Sequence, residues 1–288
     1  MTTNQNTTTN LILQGLGDCA AQLQSVAALA APQRLVKLSE RALRCEGVSE
    51  TPALRQSIDA AALAAGIDAT FMSGARKLTD FKLVAMDMDS TLITIECIDE
   101  IADMQGLKPQ VSAITEAAMR GELDFSESLT RRVALLEGLD AAALQRVYDE
   151  RLGLSMGAEA MLAGVKAAGM KTLLVSGGFT FFTERLKPRL GLDHTHANQL
   201  EIVDGKLTGR VIGGIVDAEE KKRTVLRVCA EMGIAPSQTI VMGDGANDLK
   251  MMGISGLSVA FRAKPVVRAQ ADVALNFVGL DGVLTLLG

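Results

Sequence analysis

Two aspartates one residue apart, Asp87 and Asp89, close an apolar run that holds no turn residue, Lys82-Leu83-Val84-Ala85-Met86. Such a run reads as a buried strand of a parallel sheet. The carboxyl end of such a strand is where open α/β sheets put their ligand sites. Like charges a few ångströms apart push one carboxyl pKa up unless a cation joins them. An oxygen-ligated divalent metal is the natural third party, Mg2+ being the commonest. Ser90 and Thr91 follow, so nothing bulky blocks the tip. The stretch alone leaves a second reading open, a capped strand end with two solvated acids.

Three further groups have chemistry to offer. Ser176-Gly177-Gly178 follows the apolar run Thr172-Leu173-Leu174-Val175. A hydroxyl and a glycine amide at a strand tip can both face an anion, because glycine lets the backbone approach closely. Ser-Gly-Gly is also a plain turn. Lys221-Lys222 offers two ammonium groups, of which at least one is a surface helix lysine. Gly243-Asp244-Gly245-Ala246-Asn247-Asp248 follows Thr239-Ile240-Val241-Met242 and brings more acids to a second strand tip. His194 and His196 are the only histidines, and no third ligand lies near them in sequence, so they are not read as a metal site.

These four groups, in this order, resemble the four motifs of the haloacid dehalogenase superfamily of phosphohydrolases. The segment between the first two narrows the likeness. Glu96–Ile101, Arg120–Phe125 and Ser128–Val133 resemble the cap of the superfamily members that act on O-phospho-L-serine. The resemblance covers about residues 81–288 and does not visibly cover 1–80. It implies a Mg2+-dependent hydrolysis of O-phospho-L-serine to L-serine and phosphate, the last step of L-serine biosynthesis. Another small phosphorylated amino acid or hydroxy compound, such as phosphothreonine or homoserine phosphate, is the alternative substrate. A dehalogenase would not need Asp89 as an acid. An ATP-using phosphotransferase would show a Gly-x-x-x-x-Gly-Lys loop, which is absent.

The resemblance also assigns roles. Asp87 is the nucleophile, giving an aspartyl-phosphate. Asp89 protonates the leaving oxygen and then activates water. The metal takes the side chains of Asp87 and Asp244 and the backbone carbonyl of Asp89, while Asp248 orients the ligands or the lysine. Ser176 and Gly177 face a phosphate oxygen. Lys221 neutralises phosphate and nucleophile together; Lys222 is its competitor, and the spacing to Asp244 favours Lys221. Asn247 bonds the substrate or the surroundings of Asp248. In the cap, Glu96 takes the substrate ammonium and Arg132 its carboxylate, bidentately. Arg131, next door, faces solvent, and Phe125 shields the site from water. For Glu96 and Arg132 an ordinary surface ion pair is the plain alternative.

The elements that must hold these groups read as an α/β protein: a haloacid dehalogenase-like, Rossmann-like parallel sheet with a helical cap insert and a small N-terminal α+β domain. The boundaries expected are 1–80 for the N-terminal domain, 81–288 for the core, and about 94–155 for the insert. Residues 1–10 are Thr/Asn-rich and read as disordered. Leu11–Leu13 and Ala42–Cys45 read as strands and Ala53–Ala65 as a helix, a unit that either senses an amino acid or only covers an apolar face. Residues 94–155 show helical periodicity, with Val111, Ile114 and Ala118 on one helix and Asp124 as N-cap of the next. A crossover needs only about a dozen residues, so a longer insert reads as a lid. Helices at 157–168, 179–190 and 219–232 alternate with strands ending at Ser176 and at 239–242. A hairpin turns at Asp204-Gly205, and late strands lie at 257–260 and 272–275.

Composition bounds the partners. The 288 residues carry a net charge of −5, no Trp and one Tyr, which argues against nucleic acid. Four scattered cysteines without a Cys-x-x-Cys pair read as reduced thiols. The N-terminus lacks a secretory pattern, and no apolar run approaches the about 18 residues of a membrane span. A soluble, cytoplasmic protein acting on a small molecule is expected. The sequence leaves a homodimer open.

Overall fold

The computed structural model describes residues 8–72 and 76–288. The first elements are β1 (Thr8–Gln14), α1 (Ala20–Ala30), β2 (Arg34–Ser39), β3 (Ala42–Ser49), α2 (Pro52–Ala65) and β4 (Asp68–Met72). Their strands form an antiparallel sheet in the order β2-β3-β1-β4. Leu11 and Leu13 alternate with Ile12 along β1, so one face packs under the two helices while Ile12 points to the rest of the molecule. Helix α2 starts where Thr51 accepts from the Leu54 amide at 3.1 Å, with Pro52 in its first turn. The strands and helix expected at Leu11–Leu13, Ala42–Cys45 and Ala53–Ala65 are present. The disorder expected through Asn10 is corrected at Thr8–Asn10, which pair with Ser49, Val48 and Met72. A central strand position outweighs their polar composition. Residues 1–7 lie outside the described residues.

The second sheet contains β5 (Leu83–Met86), β6 (Lys171–Phe179), β7 (His194–Val203), β8 (Lys206–Ile212), β9 (Thr239–Gly243), β10 (Leu257–Phe261) and β11 (Val273–Leu275). Their order is β11-β10-β9-β5-β6-β7-β8, parallel except for the β7–β8 hairpin. Val84 and Met86 pack into one core and Leu83 and Ala85 into another, so β5 is covered on both faces. From β5 the chain first winds toward β7, and from β9 it winds the other way. The order therefore reverses between β5 and β9, which opens a crevice at their carboxyl ends. The hairpin turns at Asp204 and Gly205 with φ of 50° and 76°, the two positive values that a tight right-twisted hairpin needs.

Between β5 and β6 lie α3 (Cys97–Asp103), α4 (Lys108–Met119), α5 (Phe125–Ala134) and α6 (Ala142–Glu150). Asp124 caps α5 by accepting from the Glu127 amide at 2.8 Å, and Leu129 and Val133 bury its inner face. The chain enters and leaves this insert side by side: Thr94 donates to the Gly153 carbonyl at 2.9 Å and Ser155 to that of Leu92 at 3.0 Å. The insert also hydrogen-bonds to the hairpin, through Gly138 to Leu207 and Ala141 to Gly205. Later helices α7 (Ala158–Ala167), α8 (Thr180–Leu190) and α9 (Ala218–Met232) cover the sheet. Among the described residues no helix is long and apolar enough to cross a membrane.

Asp68, at the start of β4, joins the two sheets. Its buried carboxylate accepts from the amides of Asn276 at 2.7 Å and of Phe277 and Val278 at 3.0 Å each. Burial pushes its pKa up, against the pull of these bonds. Asp68→Ala leaves three donors without an acceptor, one buried and two partly buried. We expect a loss of about 3 kcal/mol, seen as a fall of roughly 8 °C in Tm. An unchanged Tm would mean that this junction does not anchor the sheets.

Candidate active site

Beyond β5 the chain does not continue straight. Met88–Leu92 coil into one turn in which Ser90 takes φ +55°, a left-handed value that costs a non-glycine residue about 1 kcal/mol or more. The turn brings the Asp89 carboxylate to the start of α3 and the tip of β6. Asp87 Oδ1 accepts from the Met88 amide at 2.7 Å, and Asp89 Oδ1 from the Cys97 amide at 3.2 Å. The tip of β6 presses on Asp89: a Cβ at Gly178 would stand 2.6 Å from Asp89 Oδ2, so a larger residue there would displace the carboxyl. The strand expected to end at Ser176 in fact runs to Phe179, and Ser-Gly-Gly is extended rather than a turn. A bulge against β7 between Ser176 and Phe179 absorbs the misfit. Buried Ser176 Oγ accepts from the Gly178 amide at 2.8 Å.

Helix α9 delivers the cation. Asp217 caps it, accepting from the amides of Glu219 at 2.9 Å and Glu220 at 2.8 Å. One turn in, Lys221 is fully buried, with Nζ 2.7 Å from Asp87 Oδ2 and 2.8 Å from Asp248 Oδ1. Lys222 points outward, its nearest acid being Glu219 at 3.9 Å. Burial alone would lower the Lys221 pKa, but Asp248 and Asp87 outweigh it and hold the ammonium charged. Asp248 Oδ2 also accepts from the Gly245 amide at 3.1 Å. Asp244 follows the last residue of β9, and one carboxylate oxygen from each of Asp87, Asp244 and Asp248 lies within 4.8 Å of the others. Asn247 is half-buried beside Gly245, and among the described residues its side chain has no hydrogen-bond partner.

The insert adds a second set of groups. The Phe125 ring lies over Gly177, its Cζ 2.7 Å from where a Cβ would be. Glu96 is exposed and accepts from Ser90 Oγ at 2.6 Å. Arg132 is half-buried; its Nε donates to the Ser128 carbonyl at 3.3 Å. Among the described residues no carboxylate forms an ion pair with it, although Asp99, Glu96 and Asp89 all act on its charge. Glu96 and Arg132 are thus not a surface ion pair. Arg131 is one, with exposed Glu127 at 2.6 Å.

One positioning residue escaped the sequence reading. Buried Asn198 donates Nδ2 to the Gly177 carbonyl at 2.7 Å and accepts from the Val216 amide at 2.8 Å. It ties the Gly177 peptide to the segment that begins α9. Its only signal in sequence is an amide within a strand that is otherwise half-buried. His196 lies 3.3 Å from Glu220, and neither histidine joins the acidic cluster.

Residues 84–253 match the haloacid dehalogenase-like hydrolase family. The chain belongs to this family. A phosphoserine phosphatase of Polaromonas sp. is 58% identical to this hydrolase over 216 residues, covering 73% of this chain and 92% of that one. The crystal structure of a HAD family hydrolase from Salmonella enterica serovar Typhi superposes with a TM-score of 0.86 at 34% identity and covers 98% of both chains, the four-stranded sheet included. The phospho-aspartyl intermediate analogue of phosphoserine phosphatase superposes with a TM-score of 0.68 at 38% identity, covering 72% of this chain and 99% of that one.

The charges of the site fit a divalent cation. Three clustered carboxylates, Asp87, Asp244 and Asp248, face one ammonium, Lys221, which leaves two negative charges uncompensated. Burial, then Asp248, pushes the Asp87 carboxyl well above its ordinary range despite Lys221. Burial, then Asp248 and Glu96, raises Asp244 to about 6. Burial, then Glu96, raises Asp89 to about 7. A donor set made only of oxygens suits a hard cation.

Proposed function

We propose that this hydrolase is a Mg2+-dependent phosphatase that turns O-phospho-L-serine and water into L-serine and inorganic phosphate through an aspartyl-phosphate at Asp87. The observation that carries the substrate reading is Arg132, a half-buried guanidinium that among the described residues has no ion-pair partner and whose charge is acted on by Asp99, Glu96 and Asp89. A binding cation that waits unpaired in a crevice has a ligand carboxylate as its natural partner. Glu96 offers its carboxylate to the substrate ammonium. The naming of the Polaromonas relative and of the phospho-aspartyl analogue supports the same reading.

In this reading the Ser176 hydroxyl, the Gly177 amide and the Lys221 ammonium receive the phosphate oxygens, and Asn247 bonds the substrate. An Asp87 oxygen attacks phosphorus as the bond to the serine oxygen breaks. Asp89 gives its proton to that leaving oxygen. The Asp89 carboxylate then takes a proton from water, whose oxygen attacks the aspartyl-phosphate, and phosphate leaves with Asp87 restored. A carboxyl raised to about 7 is partly protonated at neutral pH, as the first step needs. The Asp87 and Asp244 side chains and the Asp89 carbonyl would hold Mg2+, with Asp248 fixing Lys221 behind them. When bound, Mg2+ supplies positive charge against the transferred phosphoryl oxygens. Residues 94–155 serve as the lid, with Phe125 excluding water, 81–288 as the catalytic core, and 1–80 as an accessory domain. Four cysteines, all free and buried, suit a reducing compartment such as the cytoplasm.

A panel of phosphate monoesters, scored by released phosphate, tests this. O-phospho-L-serine should give the highest kcat/KM with Mg2+, above O-phospho-L-threonine, O-phosphoethanolamine and p-nitrophenyl phosphate. EDTA should stop turnover and added Mg2+ restore it; indifference to the chelator would remove the metal. Arg132→Ala should raise KM for phosphoserine about 100-fold and that for phosphoethanolamine, which lacks a carboxylate, no more than about twofold. Equal effects on both would mean that Arg132 does not read the substrate.

A further inference from the structure

The bulge in β6 leaves one peptide that the sheet does not pair. β6 meets β7 at Ser176, opposite Ala197, and again at Phe179, opposite Asn198, with Gly177 and Gly178 between. The Asn198 side chain supplies what the ladder lacks there. Its Nδ2 donates to the Gly177 carbonyl at 2.7 Å, and its Oδ1 accepts from the Val216 amide at 2.8 Å. A carbonyl only accepts and a backbone N–H only donates, so a single orientation of the Asn198 amide satisfies both. The same peptide is held at its other end, where the Gly178 N–H donates to Ser176 Oγ at 2.8 Å. Both polar groups of one planar unit are thus fixed. Asn198 and Ser176 are buried, so a bond lost here is not replaced by bulk water.

We infer that Asn198 is a positioning residue for phosphate binding, acting through the Ser176 hydroxyl. This rests on the phosphatase reading proposed above, in which that hydroxyl faces a phosphate oxygen. A hydroxyl has one hydrogen and two lone pairs. With the Gly178 N–H on the oxygen, the hydrogen is left for the ligand. Each link from the Val216 N–H, through Asn198 and the Gly177–Gly178 peptide, to Ser176 runs donor to acceptor in the same direction. Hydrogen bonds in such a chain strengthen one another, and the last donor in this one is the Ser176 O–H. Without Asn198 the Gly177 carbonyl loses its partner, the peptide is free to rotate, and the Gly178 N–H leaves the serine oxygen. The effect therefore falls on the phosphate of any substrate and not on its amino-acid part.

The test compares Asn198→Ala, Asn198→Asp, Ser176→Ala and the double alanine variant with Mg2+. O-phospho-L-serine and p-nitrophenyl phosphate serve as substrates, and inorganic phosphate as competitive inhibitor. Asn198→Ala should raise both KM values and the inhibition constant of phosphate by one common factor, about tenfold, with kcat within about threefold of the parent. Asn198→Asp keeps the shape and the acceptor for Val216 but sets an oxygen against the Gly177 carbonyl, which covers the case in which the alanine variant fails to fold. Its deficit, taken against the parent at the same pH, should be largest at alkaline pH and shrink as pH falls, because a protonated carboxyl regains a donor. In the double variant KM should exceed that of Ser176→Ala by no more than about twofold, because Asn198 acts through the serine. A rise for phosphoserine alone, a deficit of the aspartate variant that grows as pH falls, or multiplicative effects in the double variant would overturn the inference. If Ser176→Ala raises the phosphate constant and neither Asn198 variant does, the inference alone falls. If Ser176→Ala changes none of the constants, the reading of Ser176 as a phosphate ligand falls and the inference with it.

Discussion

Asp87→Asn should lower kcat for phosphoserine about 10^5-fold while the fold survives. The amide keeps the shape of the carboxyl but is a poor nucleophile, and nothing else in the crevice can take its place. Asp89 is turned toward the Cys97 amide and Gly178, and Asp248 is spent on Lys221 and the Gly245 amide. Stability has little to lose. Lys221 retains Asp248, and one charge leaves a cluster already short of positive charge. Tm should stay within a few degrees of the parent, or rise when no metal is added. A variant that keeps a tenth of the parent rate would end the assignment of Asp87.

Asp89→Asn separates the two halves of the reaction. Loss of the general acid should cut kcat for phosphoserine about 10^3-fold, because a serine alkoxide leaves poorly without a proton. p-Nitrophenolate needs no proton to leave, so the first half should survive with that substrate. In the proposed mechanism the second half also uses Asp89, to activate water. The variant should then release p-nitrophenolate in a rapid burst equal to the enzyme concentration, followed by slow turnover. Stopped-flow absorbance reads this directly. Equal losses on both substrates with no burst would show that Asp89 does not move the proton.

What could be read from the sequence was local. An apolar run closed by Asp87 and Asp89 reads as a buried strand ending in a ligand site, and the same logic held for Asp244 after β9. The choice between Lys221 and Lys222 was also written in α9. Lys221 shares the buried stripe of Thr224, Val225 and Val228, three, four and seven residues on, whereas Lys222 is off it. What could not be read was set by neighbours distant in sequence. Asn198 matters only because the bulged β6 brings the Gly177 carbonyl to it. Asp68 finds its donors more than 200 residues away. Ser176-Gly177-Gly178 carries turn residues yet stays extended, because β6 pairs with β7 at Ser176 and again at Phe179, on either side of the glycines. Thr8–Asn10 look disordered by composition and become strand because β3 and β4 flank them.

The covalent step can be observed directly. Enzyme turning over O-phospho-L-serine with Mg2+ is quenched with borohydride, which reduces an aspartyl-phosphate to homoserine, and the peptides are read by mass spectrometry. The account predicts homoserine at position 87, only when substrate is present, and none at positions 89, 244 or 248. An unmodified Asp87 in enzyme shown to be turning over, or homoserine at one of the other acids, would contradict it.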